Sequence, residues 1–333
     1  MSATATPFFR SLARWSDQQP PHHLHPSLHG LTSPSLSLLQ KLLLLPVQPD
    51  PFPRKRRAAV MVGLFASRHG HLNVLLTRRS KTMRTYAGET ALPGGKMEPQ
   101  DLTLEHTARR EAHEECGITL NRHKVRKLAT LSPFLSRGNL IVTPVVFFIT
   151  DQTLMPRLNA KEVDVLFSHP LENFLTGPIS RSYEIPWFST KVPYRLFEFP
   201  SKHSPIIGFT ADILIEVAVI GYGREPDFER KAAGQLAMSE IITIALQEAP
   251  EFQSDDQALG VAKHDLLEDG SPRGTLCSRF VDALQPPQMS ISQTLSSLGK
   301  RFLGKRELVH LDLRAHSKFN PALPLGDLVV PGA

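Results

Sequence analysis

Three glutamates, Glu111, Glu114 and Glu115, crowd into five positions of the stretch "REAHEECG", with Arg110 directly ahead of them. Like charges three and four residues apart on a helix repel by roughly 0.2–0.5 kcal/mol per pair. The cluster therefore costs a helix stability unless something neutralises it. At about 100° per residue the three carboxylates share a ~100° arc, and Ala108, Ala112 and Cys116 fill the neighbouring arc as a core-facing edge. The acids thus sit beside the buried edge, whereas a purely solvated cluster belongs opposite it. Oxygen donors suit a hard divalent cation such as Mg²⁺, which commonly takes a few carboxylates plus the phosphate oxygens of a substrate. Arg110 can pair with one acid and fix its rotamer, and Gly94 and Gly95 let the backbone bend tightly just ahead of the helix.

A second cluster, of opposite sign, lies upstream. Arg78, Arg79, Lys81 and Arg84 fall within "LLTRRSKTMRTYAGETALPGG", residues 75–95. Arginine grips a phosphate through two parallel hydrogen bonds. The position of this loop against "PGG" favours Arg79 and Arg84 as ligand contacts, while Arg78 and Lys81 read as solvated cations. The whole chain of 333 residues is basic, with formal net charge +6 and a pI of about 9.4. That balance suits an anionic partner without choosing among nucleic acid, membrane surface and a phosphorylated small molecule. Two cysteines, Cys116 and Cys277, exclude a disulfide scaffold or a zinc cluster and fit a reducing compartment. No apolar run approaches the ~18 residues of a membrane span; "GFTADILIEVAVIGYG" comes nearest and contains Asp212 and Glu216.

The elements that position these clusters lie in the middle of the chain. Residues 57–67 and 71–79 read as two strands joined at "RHGH". "PGG" precedes a helix over about 103–116 that Gly117 stops. "KVRKLATLSPFLS" and "NLIVTPVVFFIT" read as strands around a Gly138-Asn139 turn, and 162–175 begins as a strand and ends as a turn or helix. "GFTADILIEVAVI" has helical spacing, and 227–249 reads as a helix weakened at Gly234. Mixed strands and helices without strict alternation predict an α/β fold, a mixed sheet sandwiched between helices. Composition predicts three regions: an N-terminal extension over 1–50, partly disordered; one domain over 51–249; and a partly disordered C-terminal extension over 250–333. The histidines at 22, 23, 25 and 29 belong to the first, where Pro and Gly break up any metal cluster, and "PSLSLLQKLLLLP" reads there as a short helix closed by Pro46.

Counting back from the glutamates to "GG" reproduces a pattern. Gly95, Asp101, Arg110, Glu111, Ala112, Glu114, Glu115, Gly117 and Ile118 take the places of the Nudix hydrolase signature, which this stretch closely resembles. Asp101 stands where that family usually has Glu, with Glu98 as an alternative; eight residues separate Asp101 from Arg110 where seven are usual; and Arg109 occupies a position often aliphatic. The resemblance implies a Nudix α/β/α sandwich with a mixed β-sheet. It also implies Mg²⁺ or Mn²⁺ held by Glu111 and Glu115 with Glu114 completing the set, and Arg110 among the catalytic residues. A water activated by the metal then attacks one phosphorus in line. The base is left open among Glu114, Glu115, Glu162 and Asp164.

The upstream stretch narrows the expectation. Leu75, Leu76, Thr77, Arg79, Ser80, Arg84, Gly88, Leu92, Pro93, Gly94 and Gly95 resemble the motif of the coenzyme A diphosphatase branch, with Leu92 in place of the usual Phe. This implies hydrolysis of the diphosphate of coenzyme A or its thioesters to 3′,5′-ADP and 4′-phosphopantetheine or its acyl form. Arg79, Arg84, Gly94 and Gly95 are the implied substrate-binding residues, and a small molecule rather than nucleic acid the implied partner. A Nudix hydrolase of another nucleoside diphosphate derivative, such as ADP-ribose, is the second reading, and a non-catalytic Nudix binding module the third. The resemblance implies a peroxisomal location. "MSATATPFFRSLARWS", with two arginines and no acid before Asp17, suggests a mitochondrial transit peptide instead. Trp187 and the aromatics of "YRLFEF" read as core or as an adenine-stacking surface; His106 and His113 read as solvated; Lys300, Arg301, Lys305 and Arg306 form a basic amphipathic stretch. Oligomeric state is left open.

Overall fold

The computed structural model describes residues 6–16, 24–48, 50–151, 154–187, 192–248 and 330–331, all within one unit. The elements run α1 (Pro7–Ala13), a 3₁₀ turn (Pro26–Leu28), α2 (Ser33–Leu43), β1 (Arg57–Ala66), β2 (Leu72–Arg79), β3 (Thr90–Ala91), β4 (Gly94–Lys96), α3 (Leu104–Cys116), β5 (Val125–Thr130), β6 (Phe134–Leu135), β7 (Ile141–Ile149) and β8 (Val163–Pro170). They continue with α4 (Asn173–Thr176), β9 (Arg181–Pro186), β10 (Pro193–Phe199), β11 (Ile206–Ile207), α5 (Gly208–Tyr222), α6 (Met238–Glu248) and β12 (Val330–Pro331). The main sheet runs β12-β8-β2-β1-β7-β5, with β3, β4 and β6 paired alongside. It is mixed: β1 lies parallel to β7 and antiparallel to β2.

Strand alternation sorts the core onto the two faces of this sheet. Ala59, Met61, Leu75, Val145, Phe147 and Ile149 face α3 and pack on its Leu104, Ala108, Ala112 and Cys116. Their neighbours Val62, Leu64, Val74, Leu76, Val146 and Phe148 turn to the other face, where α1, α2 and α5 cover them. The result is the expected α/β/α sandwich. On the second face α2 and α5 come close because Gly221 carries no side chain: a Cβ there would overlap Leu38. The Lys41 ammonium also donates to the Tyr222 carbonyl at 2.9 Å, at the C-terminus of α5, where a cation is favourable.

Three regions differ from the sequence reading. Residues read as an N-terminal extension are built into the core: Phe8, Leu12, Leu28, Leu38, Leu39 and Leu42 are fully buried. The leucines of α2 form one apolar stripe that needs a partner, and α5 supplies it. The segment 227–249 is helical only from Met238. Before it, Gly234 adopts φ +75°, and the Gln235 side-chain oxygen accepts from the backbone N–H groups of Ala232 and Arg195, both at 2.9 Å. These local bonds replace helical ones. Finally, β9, β10 and β11 form a second, antiparallel sheet that no periodicity announced. Trp187 and Tyr194 bury against each other there at 4.4 Å, with Leu135, Ile141 and Ile242 around them. The C-terminal reading of 250–333, including Lys300, Arg301, Lys305 and Arg306, lies outside the described residues apart from β12.

Candidate active site

The helix that carries the glutamates is defined at both ends. The Thr103 hydroxyl caps its N-terminus by accepting from the His106 N–H at 3.2 Å, and Gly117 ends it at φ +67°. Ala108, Ala112 and Cys116 are fully buried, as the helical arc requires. Arg109, at the position usually aliphatic, is buried too. Its guanidinium lies 4.6 Å from the Phe147 ring centre and donates to the Val125 carbonyl at 2.9 Å and to Glu105 at 2.8 Å. An arginine thus fills an apolar place by covering an aromatic face. His113 and His106 turn outward, His106 next to Arg122.

The Gly94–Lys96 strand lies directly against this helix. A Cβ on Gly95 would overlap the Glu111 carboxylate, and one on Gly94 would overlap the Ala59 carbonyl and Val60. Glycine is therefore required at 94, where the neighbouring strand's backbone approaches, and at 95 it leaves the Glu111 carboxylate in its place. The Gly94 N–H donates to Glu115 Oε2 at 3.2 Å. Glu115 is buried, with 6% of its surface exposed. Burial, then the charge of Glu111, pushes its carboxyl up to about 8, against the opposing pull of the Gly94 N–H and Arg79. Glu111 is raised for the same first reason, burial, with Arg110 opposing and Glu114 and Glu162 adding repulsion. Glu162, ahead of β8, thus acts electrostatically on both Glu111 and Glu115.

Arg110 organises the outer half of the site. It makes a two-pronged contact with Asp101, Nε to Oδ1 at 3.2 Å and Nη2 to Oδ2 at 2.9 Å. Its Nη1 donates to Glu111 Oε1 and Glu114 Oε2, each at 3.1 Å, and Nη2 also donates to the Lys96 carbonyl at 3.0 Å. Asp101 is nearly inaccessible. Burial alone would raise its carboxyl, but Arg110, the Glu98 N–H and Thr107 outweigh it and hold the group below its ordinary value. Asp101 therefore anchors Arg110. Glu98, the alternative at that place in the signature, is half exposed and 3.7 Å from Arg110.

The upstream cationic loop is rooted at the same place. The Ser80 N–H donates to the Glu162 carbonyl at 2.8 Å, and Arg79 and Glu89 join the two ends of the loop at 2.9 Å. Arg79 acts electrostatically on Glu115 and on Glu89. Glu89 is raised by burial and held back by Arg137 and Arg79. Neither Glu89 nor Arg137 was singled out from the sequence: Glu89 fills an unspecified position of the motif, and Arg137 comes from the β6–β7 hairpin, far along the chain. Arg78 pairs with Asp164 at 3.3 Å, so that acid already has a cationic partner. Arg84 is exposed, with no hydrogen bond or ion pair to another described residue.

The NUDIX domain pattern matches residues 54–188, from just before β1 to just after β9. A peroxisomal coenzyme A diphosphatase of Mus musculus is 33% identical over 175 residues, 51% of this chain and 72% of that protein. The chain belongs to the Nudix family. Nudix hydrolase 15, mitochondrial, of Arabidopsis thaliana is 41% identical over 183 residues, 54% of this chain and 63% of that protein. The peroxisomal coenzyme A diphosphatase 1 of Saccharomyces cerevisiae is 34% identical over 171 residues, 42% of this chain and 50% of that protein. The chain therefore spans less than two thirds of the length of the Arabidopsis relative (63%).

In this Nudix domain the donor set fits a hard cation, since every acid at the site offers oxygen. Among the described residues no three such side chains converge on one point. Glu111 and Glu115 face one another, whereas Glu114, half exposed, is held by Arg110. Two carboxylates are what Mg²⁺ commonly takes from a protein when substrate phosphates supply the rest. The Gly95 cradle and the repulsion of Glu115 by Glu111 describe a pair that a cation would relieve. No helix among the described residues is long and apolar enough to cross a membrane.

Proposed function

We propose that this protein hydrolyses the diphosphate bond of coenzyme A and its thioesters, giving 3′,5′-ADP and 4′-phosphopantetheine or its acyl form. The observation that carries this reading is the junction of the two motifs. The cationic loop of the coenzyme A diphosphatase pattern is fastened by Ser80 to Glu162, beside the Glu111–Glu115 pair. The mouse and yeast relatives named as coenzyme A diphosphatases support it. In this reading Arg79, which acts electrostatically on Glu115, and Arg84 on the same loop receive phosphate oxygens, next to the Gly94–Gly95 backbone that packs on Glu111 and Glu115.

Glu111 and Glu115, with Glu114 once Arg110 releases it, are the residues that would hold Mg²⁺ or Mn²⁺, the ions Nudix hydrolases generally use. When bound, such an ion neutralises the diphosphate and sharpens the acidity of a water. Arg110, anchored by Asp101, keeps Glu111 in its rotamer. The Gly94 N–H keeps Glu115 in its own. Glu162, outside α3 and acting electrostatically on both, is the acid we assign to take the proton of the attacking water. Asp164, tied to Arg78, is not.

A second reading, hydrolysis of another nucleoside diphosphate derivative, is favoured by one observation: the more identical Arabidopsis relative, at 41%, bears only the name of a Nudix hydrolase. Incubating the purified chain with Mg²⁺ and coenzyme A, acetyl-coenzyme A or ADP-ribose, and identifying the products by mass, decides between them. Release of 3′,5′-ADP from coenzyme A supports the first reading, cleavage of ADP-ribose alone the second, and no turnover of any diphosphate the binding-module reading. Peroxisome and mitochondrion both remain proposed compartments, each matching the name of a relative. Imaging of a fluorescent fusion distinguishes them.

A further inference from the structure

The loop between β2 and β3 carries more than cations. Tyr86 sits near its tip with 52% of its surface exposed, and it is the one exposed Phe, Tyr or Trp among the described residues. Its backbone lies at φ +55°, in the left-handed region that a bulky side chain rarely occupies. That conformation is fastened locally: the Glu89 N–H donates to the Tyr86 carbonyl at 3.2 Å, and the Gly88 N–H donates to the Arg79 carbonyl at 3.1 Å. A large apolar ring is thus held out in water by a strained backbone, which in folded proteins is a feature of binding sites and switches. The loop is rooted at the carboxylates, since Ser80 bonds to Glu162 and Arg79 acts on Glu115. Lys81 and Arg84 precede it by five and two positions on the same loop.

The other aromatics with a claim to bind a ring have no face to offer. Trp187 is packed on Tyr194, and Phe197 and Phe199 are buried in the core. Positive side chains that hold phosphates beside an exposed aromatic on which a base can stack form the usual means of gripping a nucleotide without reading its sequence.

We propose that Tyr86 is the stacking platform for the nucleobase of the substrate, with the arginines of its loop holding the attached phosphates. The proposal rests on the reading of the substrate as an adenosine-containing diphosphate, and its test is built to fail separately from that reading. Binding of 3′,5′-ADP and, as a probe without a base, of inorganic pyrophosphate is measured by calorimetry for wild type and for Tyr86→Ala, Tyr86→Phe and Tyr86→Gly. Stacking on an aromatic ring predicts that Tyr86→Ala weakens 3′,5′-ADP binding roughly 10-fold or more, leaves pyrophosphate unchanged, and is rescued by Tyr86→Phe. Tyr86→Gly relieves the left-handed backbone, so it raises the melting temperature while losing the same nucleotide affinity as alanine. The proposal is overturned if alanine binds 3′,5′-ADP like wild type, if both probes weaken alike, if glycine restores affinity, or if the wild type does not bind 3′,5′-ADP. Should coenzyme A prove not to be a substrate while the alanine defect stands, the reaction assignment falls and the stacking role survives.

Discussion

The two faces of the central sheet are built from the same strands and do opposite work. On one, α3 packs through alanines and a cysteine, and its outer edge gathers Glu111, Glu114, Glu115, Arg110 and Asp101 within hydrogen-bond reach of one another or of Gly94. On the other, α1, α2 and α5 close over Val62, Leu64, Val74 and Phe148 with leucine, isoleucine and phenylalanine. The first face holds charge at the expense of stability: two carboxylates are raised first by burial, Glu115 further by Glu111, and Glu111 further by Glu114 and Glu162. The second contributes the apolar burial that compensates for it. Small residues on α3 bring the helix close to the sheet, so its acids reach the strand that carries Gly95. Large residues on the opposite face serve packing alone.

This contrast predicts that variants on the two faces separate activity from stability. The largest effect is expected on the charged face. Glu115→Gln, which removes a carboxylate from the proposed metal pair, should lower kcat by orders of magnitude with an unchanged far-UV circular dichroism spectrum. Its melting temperature without metal should be equal to or above that of wild type, because a neutral amide replaces a carboxylate raised to about 8. Near-normal turnover in that variant would break the assignment. On the apolar face, Leu39→Ala removes a fully buried side chain from α2 and should cost about 2–5 kcal/mol, read from chemical denaturation, while kcat at low temperature stays close to wild type. Removing residues 1–16 should act in the same direction, because Phe8 and Leu12 go with them. A truncated chain as stable as the full one would show that the arm adds nothing to the core.

A smaller effect is expected in the pH dependence of stability. Asp212 on α5 accepts from the Tyr194 hydroxyl at 3.1 Å. Burial pushes its carboxyl up to about 7, with Tyr194 and Arg230 opposing. A group whose folded value lies above its unfolded one stabilises the protein in its protonated form. That contribution is complete below the ordinary carboxylate value of 3.8 and fades as pH rises through about 7. Comparing denaturation midpoints from pH 4 to 8, the wild type should lose stability relative to Asp212→Asn as pH rises. Parallel curves for the two proteins would remove Asp212 from the account.

The charged face was the more legible of the two in the sequence, because its chemistry is local. The glutamates, Arg110, the Gly94–Gly95 bend and the Gly117 stop all lie within 24 consecutive positions, 94–117, and helical geometry relates most of them directly. What escaped were relations between distant segments. The role of Asp101 as the anchor of Arg110 depends on how the 97–103 turn folds back. Glu89 gains its meaning only from Arg137, brought in by the β6–β7 hairpin. The apolar face was harder still: the leucines of α2 looked like a short helix in a tail because their partner, α5, lies 181 positions away at the Lys41–Tyr222 contact. The β9–β10–β11 sheet stayed hidden because β9 is largely exposed, β10 buries its residues without clean alternation, and β11 spans only two residues.

The central claim is that Glu111 and Glu115 form a cation site on α3, and direct binding of Mn²⁺ tests it without reference to any substrate. Electron paramagnetic resonance of free Mn²⁺, titrated with wild-type protein and with Glu111→Gln and Glu115→Gln, measures the bound fraction. Saturable binding by the wild type that both variants lose, with their folds intact by circular dichroism, is the predicted result. Wild-type binding that persists unchanged in both variants, or a wild-type protein that leaves Mn²⁺ free, would contradict the account.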